Sequence, residues 1–206
     1  MNETEAFLRK YLNDPIASLK EWLTSFGKVL INPRPQTFRE IADHSAGNLR
    51  AAVLWMVVFC CLLYLFSTLT TGVVLSPVPL LSFMLVIPTA ILFWVFCMHF
   101  VYRLLFRGRF NLYDGLVCAA VCILIPVNLV RALLLVIPFA GPLLSWLVIA
   151  YQVILVVVAV QAITHLKYLQ AILAVVVSTL ITASAIYLLS IFLLRLASTT
   201  AMLLLS

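Results

Sequence analysis

Carboxylates are scarce in this chain. Its 206 residues include 7 Asp and Glu, and beyond Asp43 the only one is Asp114. Metal-assisted transfer and carboxylate proton relays need acids beside the reacting centre, and neither finds them here. Gly-x-Ser-x-Gly, His-Glu-x-x-His, Cys-x-x-Cys and a Gly-rich phosphate loop are also missing, the spacings that assemble a nucleophile elbow, a metal site or a phosphate cradle. An enzyme is not expected. Charge of either sign is thin, at 10% against 65% apolar residues, whereas soluble domains carry about 25% and 45–50%. A water-soluble globule is excluded. The five cysteines (Cys60, Cys61, Cys97, Cys118, Cys122) all fall in apolar runs, so they do not form the disulfide framework of a secreted domain.

Cations outnumber acids, 13 to 7, for a net +6, but they flank long uncharged runs and form no continuous groove. A nucleic-acid partner is therefore not expected. Between Ala51 and Tyr102 there is no charged residue at all, about twice the ~20 residues that cross a bilayer as a helix. That run must fold back once, and Ser76-Pro77-Val78-Pro79 marks the place. Apolar character resumes beyond Asp114, breaks at Pro138-Phe139-Ala140-Gly141-Pro142, and pauses again at His165 and Lys167. The spacing predicts spans at about 51–75, 80–102, 115–137, 143–164 and 168–194. The fold class is all-α: a polytopic membrane bundle of five transmembrane helices, with 48–206 as membrane domain and 1–47 as a cytoplasmic amphipathic segment.

Sidedness follows from the cations, which short loops retain on the cytoplasmic face. Seven precede the first span (Arg9, Lys10, Lys20, Lys28, Arg34, Arg39, Arg50), and the later loops carry none, three (Arg103, Arg107, Arg109), none and one (Lys167). The alternation predicts a cytoplasmic N-terminus and a C-terminus on the outer side. The opening Met-Asn-Glu-Thr-Glu is acidic where a cleavable signal is basic, so no such signal is expected.

Asp14-Pro15 is a helix start, and Ile16, Leu19, Trp22, Leu23, Phe26 and Leu30 then recur at three- and four-residue spacing, with Lys20, Glu21, Thr24 and Lys28 mostly on the other side. The result is an amphipathic helix that lies on lipid or packs on protein. The segment Asn32-Pro33-Arg34-Pro35-Gln36 reads as a stiff extended connector, and Thr37 with Glu40 as a capping box opening a short helix at about 38–46.

Asn32 to Ile41, Leu104-Leu105-Phe106-Arg107-Gly108-Arg109-Phe110, the Ile125-Pro126 break, and Ile137 to Pro142 followed by Ala162-Ile163-Thr164-His165 together resemble prokaryotic members of the Yip (Ypt/Rab-interacting protein) domain family over about residues 30–190. The resemblance implies five spans with a cytosolic N-terminus and, from its prokaryotic character, a bacterial or archaeal plasma membrane. The family's eukaryotic members are associated with Rab-type GTPases and vesicle traffic. The Asp-Leu-Tyr-Gly-Pro stretch and Gly-Tyr pair of those members are missing here, so GTPase binding is not carried over.

Polar residues within the spans are the candidate sites. Arg131, with Asn128 one turn earlier and Pro126 opening the backbone, either lines a polar pocket for an anion or snorkels to the headgroups. Arg195 has the same two readings. Gln152 and Gln161 need hydrogen-bond partners, and with Asn128 and Arg131 they would line a path if the bundle transported a solute or lipid. Ala174, Ser178 and Thr182 permit close helix approach, chiefly within the bundle. Asp114 is expected to pair with Arg103, Arg107 or Arg109. His99, His165, Cys97, Cys118 and Cys122 lack a metal-ligand pattern, and no cofactor or metal is expected. The expected partners are membrane lipids and a protein partner or second copy, met by Trp22, Phe26, Lys20, Lys28, Arg103, Arg107 and Arg109. A non-enzymatic scaffold or membrane-organising subunit is the function these features favour, ahead of transport.

Overall fold

The computed structural model describes residues 15–43, 49–71, 77–108, 112–137 and 139–205. Within them run seven helices and no strand: α1 (Pro15–Ile31), α2 (Pro35–Asp43), α3 (Leu49–Thr71), α4 (Pro77–Phe106), α5 (Tyr113–Leu135), α6 (Ala140–Thr164) and α7 (Tyr168–Leu205). The last five each hold a stretch long and apolar enough to cross a membrane. The protein is an all-α membrane bundle, as the hydropathy requires.

Prolines open helices here more than they end them. Pro15, Pro35 and Pro77 are each the first residue of a helix, where a missing N–H costs nothing because that amide has no intrahelical partner. The second span therefore starts at Pro77 rather than residue 80, and α2 starts at Pro35 rather than 38. Thr37 lies inside α2 and is not its cap. Its hydroxyl donates to the Asn32 carbonyl at 3.2 Å, so the expected capping box is not built. Residues 44–46 of that expected helix, Asp14 and Arg109 lie outside the described residues.

Helix α5 is the hub. It packs against α1, α2, α3, α4 and α6, and from Gly115 to Val127 every residue but Leu124 is buried. Helix α7 packs on α4 and α6. Its Ala174, Ser178 and Thr182 are buried within the bundle, and Thr179 beside them accepts a hydrogen bond from the Trp94 indole of α4 at 3.1 Å. The small-residue stripe serves contacts within the chain.

Three helices start and two end at one pole of the bundle, which we call the basic end: α3, α5 and α7 begin there, and α4 and α6 finish. The joints are tight. Arg107 takes a left-handed φ of 52°, which lets the Gly108 amide turn back to the Tyr102 carbonyl at 3.3 Å. A Cβ on Gly108 would lie 2.0 Å from the Tyr102 ring. At the opposite pole Gly141 passes so close to the Leu134 carbonyl that a Cβ would sit 2.2 Å from its oxygen, and the Gly141 amide donates to Ile137 at 3.0 Å.

Candidate functional site

Helices α1 and α2 form a hairpin docked along the bundle. Trp22, Phe26 and Val29 are buried, and the two aromatic rings meet Trp55 of α3 at centroid distances of 6.3 and 6.4 Å. At the C-terminal end of α1 the Leu30 carbonyl, one of the orphan acceptors of a helix end, takes a hydrogen bond from Tyr151 of α6 at 2.8 Å. The chain then turns through Asn32 to Arg34, and α2 returns with Phe38 fully enclosed.

Two contacts fix that return. Arg39 donates through Nε to the Ala162 carbonyl at 3.2 Å, placing a cation at the C-terminal end of α6 where unpaired carbonyls and the helix dipole favour it. Ala42 lies against Gly115, where a Cβ would come within 3.0 Å. Tyr151 and Ala162 are eleven residues apart on α6, or ~16 Å at 1.5 Å per residue, so the hairpin runs along the bundle over that length. Of the two destinations open to the amphipathic helix, the structure selects protein.

The hairpin's outer surface carries its charge. Lys20, Lys28, Arg34 and Glu40 are exposed, with Lys28 and Glu40 3.9 Å apart across the two helices. Two large apolar residues also face outward, Leu23 and, at 86% exposure, Ile31. Arg103, Arg107 and Lys167 are exposed at the basic end. Asp114 makes no ion pair with Arg103 or Arg107 among the described residues. It occupies the first turn of α5, where a carboxylate is stabilised by the free amides of the helix start.

The four polar residues proposed to line a path are not gathered. Gln152 and Gln161 are nine residues apart on one helix, so they are separated by ~14 Å in height and by half a turn in direction. Asn128 spends its amide on the Leu124 carbonyl of its own helix at 2.8 Å. Arg131 has its Nε shielded without an acceptor, and the side chain of Arg195 lies outside the described residues. His99 is enclosed, its ring edge-on to Tyr113 at 6.3 Å and its Nδ1 without a partner. Among the described residues no three His, Cys, Asp or Glu side chains group to hold a metal.

Sequence reasoning did not find Tyr151, Arg39 or Gly108 as fixing points. The first two act on backbone carbonyls more than 120 residues away, and no pattern of spacing encodes such a contact. Gly108 did leave a signal, a glycine directly after a helix end. The family model of the Yip1 domain matches residues 27–199, from the last part of α1 well into α7. Comparison with curated proteins and with solved structures finds no match. With most of the chain covered by that match, including the returning hairpin helix and all five spans, the protein belongs to the Yip1 domain family.

Proposed function

We propose that this protein is a non-catalytic membrane scaffold or organising subunit that engages a protein partner or lipid through its basic end. The observation that carries the reading is the docked hairpin: Trp22, Phe26 and Phe38 hold it to the bundle, so its exposed Lys20, Lys28 and Arg34 are held in fixed positions, and Arg103, Arg107 and Lys167 are exposed where α4 and α6 end. A preorganised surface loses little freedom on binding. Its cations suit anionic headgroups or an acidic protein face. In this reading the basic end is cytoplasmic, by the retention of Lys and Arg on that side, the C-terminus is outside, and the membrane is a prokaryotic plasma membrane.

Transport through the bundle has less support, because Gln152 and Gln161 point away from one another and Asn128 is occupied. Purification from membranes with a crosslinker in place separates the two readings. Scaffolding predicts a stoichiometric partner or a homo-oligomer, lost on Trp22→Glu while the bundle stays folded. A monomer that passes solute or lipid across liposomes would overturn it.

A further inference from the structure

The docked hairpin does not stop at the rim of the bundle. Helices α5 and α6 have 23 and 25 residues, ~34 and ~37 Å at 1.5 Å per residue, little more than the ~30 Å of hydrocarbon they must cross. Tyr151, whose hydroxyl donates to the Leu30 carbonyl near the end of α1, stands thirteen residues inside the basic end of α6, ~20 Å along its axis. Side chains lean toward the N-terminus of their helix, which for α6 is the far pole, so that carbonyl lies at least as deep as the Tyr151 backbone. Helix α5 agrees: its enclosed stretch from Gly115 to Val127 is ~18 Å long, and exposure returns at Leu129 and Val130. Were the ~16 Å covered by the hairpin bathed in water, only about half of α5 would remain to cross the bilayer. What surrounds the hairpin at that height is lipid. Over the same distance from the basic end, Leu104, Phe100 and Phe96 of α4 and Leu169 and Leu173 of α7 are each half exposed or more.

The turn between α1 and α2 suits such a place, because non-helical backbone persists at membrane depth only where its polar groups are met. Pro33 and Pro35 have no amide to satisfy. Asn32, Arg34 and Thr37 donate theirs to the carbonyls of Lys28, Asn32 and Arg34 at 2.8–3.0 Å, and the carbonyls of Leu30 and Asn32 accept from the hydroxyls of Tyr151 and Thr37. Ile31, the last residue of α1 and 86% exposed, is the apolar side chain at the tip. The charges lead back out. Helix α1 descends from the basic end, so Lys28 leans toward that end and meets Glu40, three residues from the end of α2. Arg34, exposed beside the turn, is accommodated as membrane arginines are, by its stem reaching back and the leaflet thinning toward it.

We propose that the α1–α2 hairpin is a re-entrant element inserted in the leaflet at the basic end, its turn within the hydrocarbon and Ile31 among acyl chains. This placement holds whether or not the basic end serves a protein partner. The test is electron paramagnetic resonance of the full chain in phosphatidylglycerol and phosphatidylethanolamine liposomes. A nitroxide is carried on Ile31→Cys or, for reference, on Asp43→Cys, an exposed position at the other end of the hairpin. Both are made in a Cys61→Ala background, since the other four cysteines are buried. Oxygen partitions into hydrocarbon and a nickel chelate into water. Collisions at position 31 are expected to be rich in oxygen and poor in nickel, reading ~16 Å deeper than position 43. Nickel collisions as frequent at 31 as at 43 would place the turn in water, and protection from both reagents would place it against a second protein; either result overturns the insertion. A second measurement uses the unmodified chain: a carbene precursor dissolved in the bilayer is expected to label the tryptic peptide that carries Ile31, and an unlabelled peptide refutes the contact with acyl chains.

Discussion

Replacing Trp22 with alanine asks whether the amphipathic helix is held by the bundle or merely rests beside it. Trp22 is 6% exposed and packs on both Phe26 and Trp55. A buried tryptophan removes about 150–250 Å² from solvent, and ~25 cal/mol per Å² gives roughly 4–6 kcal/mol if the undocked helix enters water. Measured losses for such truncations centre on about 3–5 kcal/mol. A helix that instead slides onto lipid loses less, because lipid is as apolar as the bundle and burial there has no hydrophobic driving force. Taking ~3 kcal/mol, the undocked population should rise about a hundredfold, at a factor of ten per 1.4 kcal/mol. Val29, fully enclosed one turn beyond Phe26, is the reporter position. In a Val29→Cys background, a water-soluble maleimide should label the cysteine slowly with Trp22 intact and about a hundred times faster with Trp22→Ala. Fast labelling in the presence of Trp22, or unchanged protection in its absence, would show that the aromatic cluster does not hold the helix.

Gly108→Ala should lower thermal stability by about 1–3 kcal/mol through overpacking, because its Cβ would enter the Tyr102 ring; Tyr102→Ala in the same chain should recover part of the loss. Arg39→Gln should cost about 1.5–3 kcal/mol, the range for hydrogen bonds to charged groups, read as a lower melting temperature and faster proteolysis between α1 and α3. Lys28→Ala should move the melting temperature little, since the pair it makes with Glu40 is long and both side chains are more than half exposed, and exposed pairs contribute about 0–1 kcal/mol. A large drop for Lys28→Ala would mean that the hairpin is held by charge and not by its aromatic core.

The five spans were legible because crossing hydrocarbon demands long uncharged stretches, and that demand leaves its mark on sequence without reference to any neighbour. Third, fourth and fifth helices begin within about three residues of their expected starts for the same reason. Which face of a helix meets which partner is not written that way. The periodicity of Trp22, Phe26 and Leu30 announces an apolar stripe, but lipid and protein satisfy such a stripe equally, and the choice was made by Trp55 and Tyr151. Local rules also misplaced the start of α2. A threonine three residues ahead of a glutamate has the capping pattern, yet Pro35 two positions earlier is already suited to the first helical position, and the helix begins at the proline.

Charge placement along α5 joins the two poles. This helix is the most enclosed of the bundle, and it carries an acid in its first turn and a cation just before its last. That is the order the helix dipole favours, each charge gaining about 0.3–1 kcal/mol where it is partly exposed. Neither charge has a side-chain counter-ion among the described residues, so the dipole is the compensation the fold itself supplies. For Asp114 that suffices, because it lies in the first turn of α5 and is only partly buried. For Arg131 the dipole leaves the shielded Nε unmet, since end-of-helix carbonyls are spent partly on closing the turn, where Val136 and Ile137 donate back to Leu133 and Leu134. Among the described residues no acceptor reaches that nitrogen, so the dipole compensates the charge of Arg131 without satisfying its Nε donor.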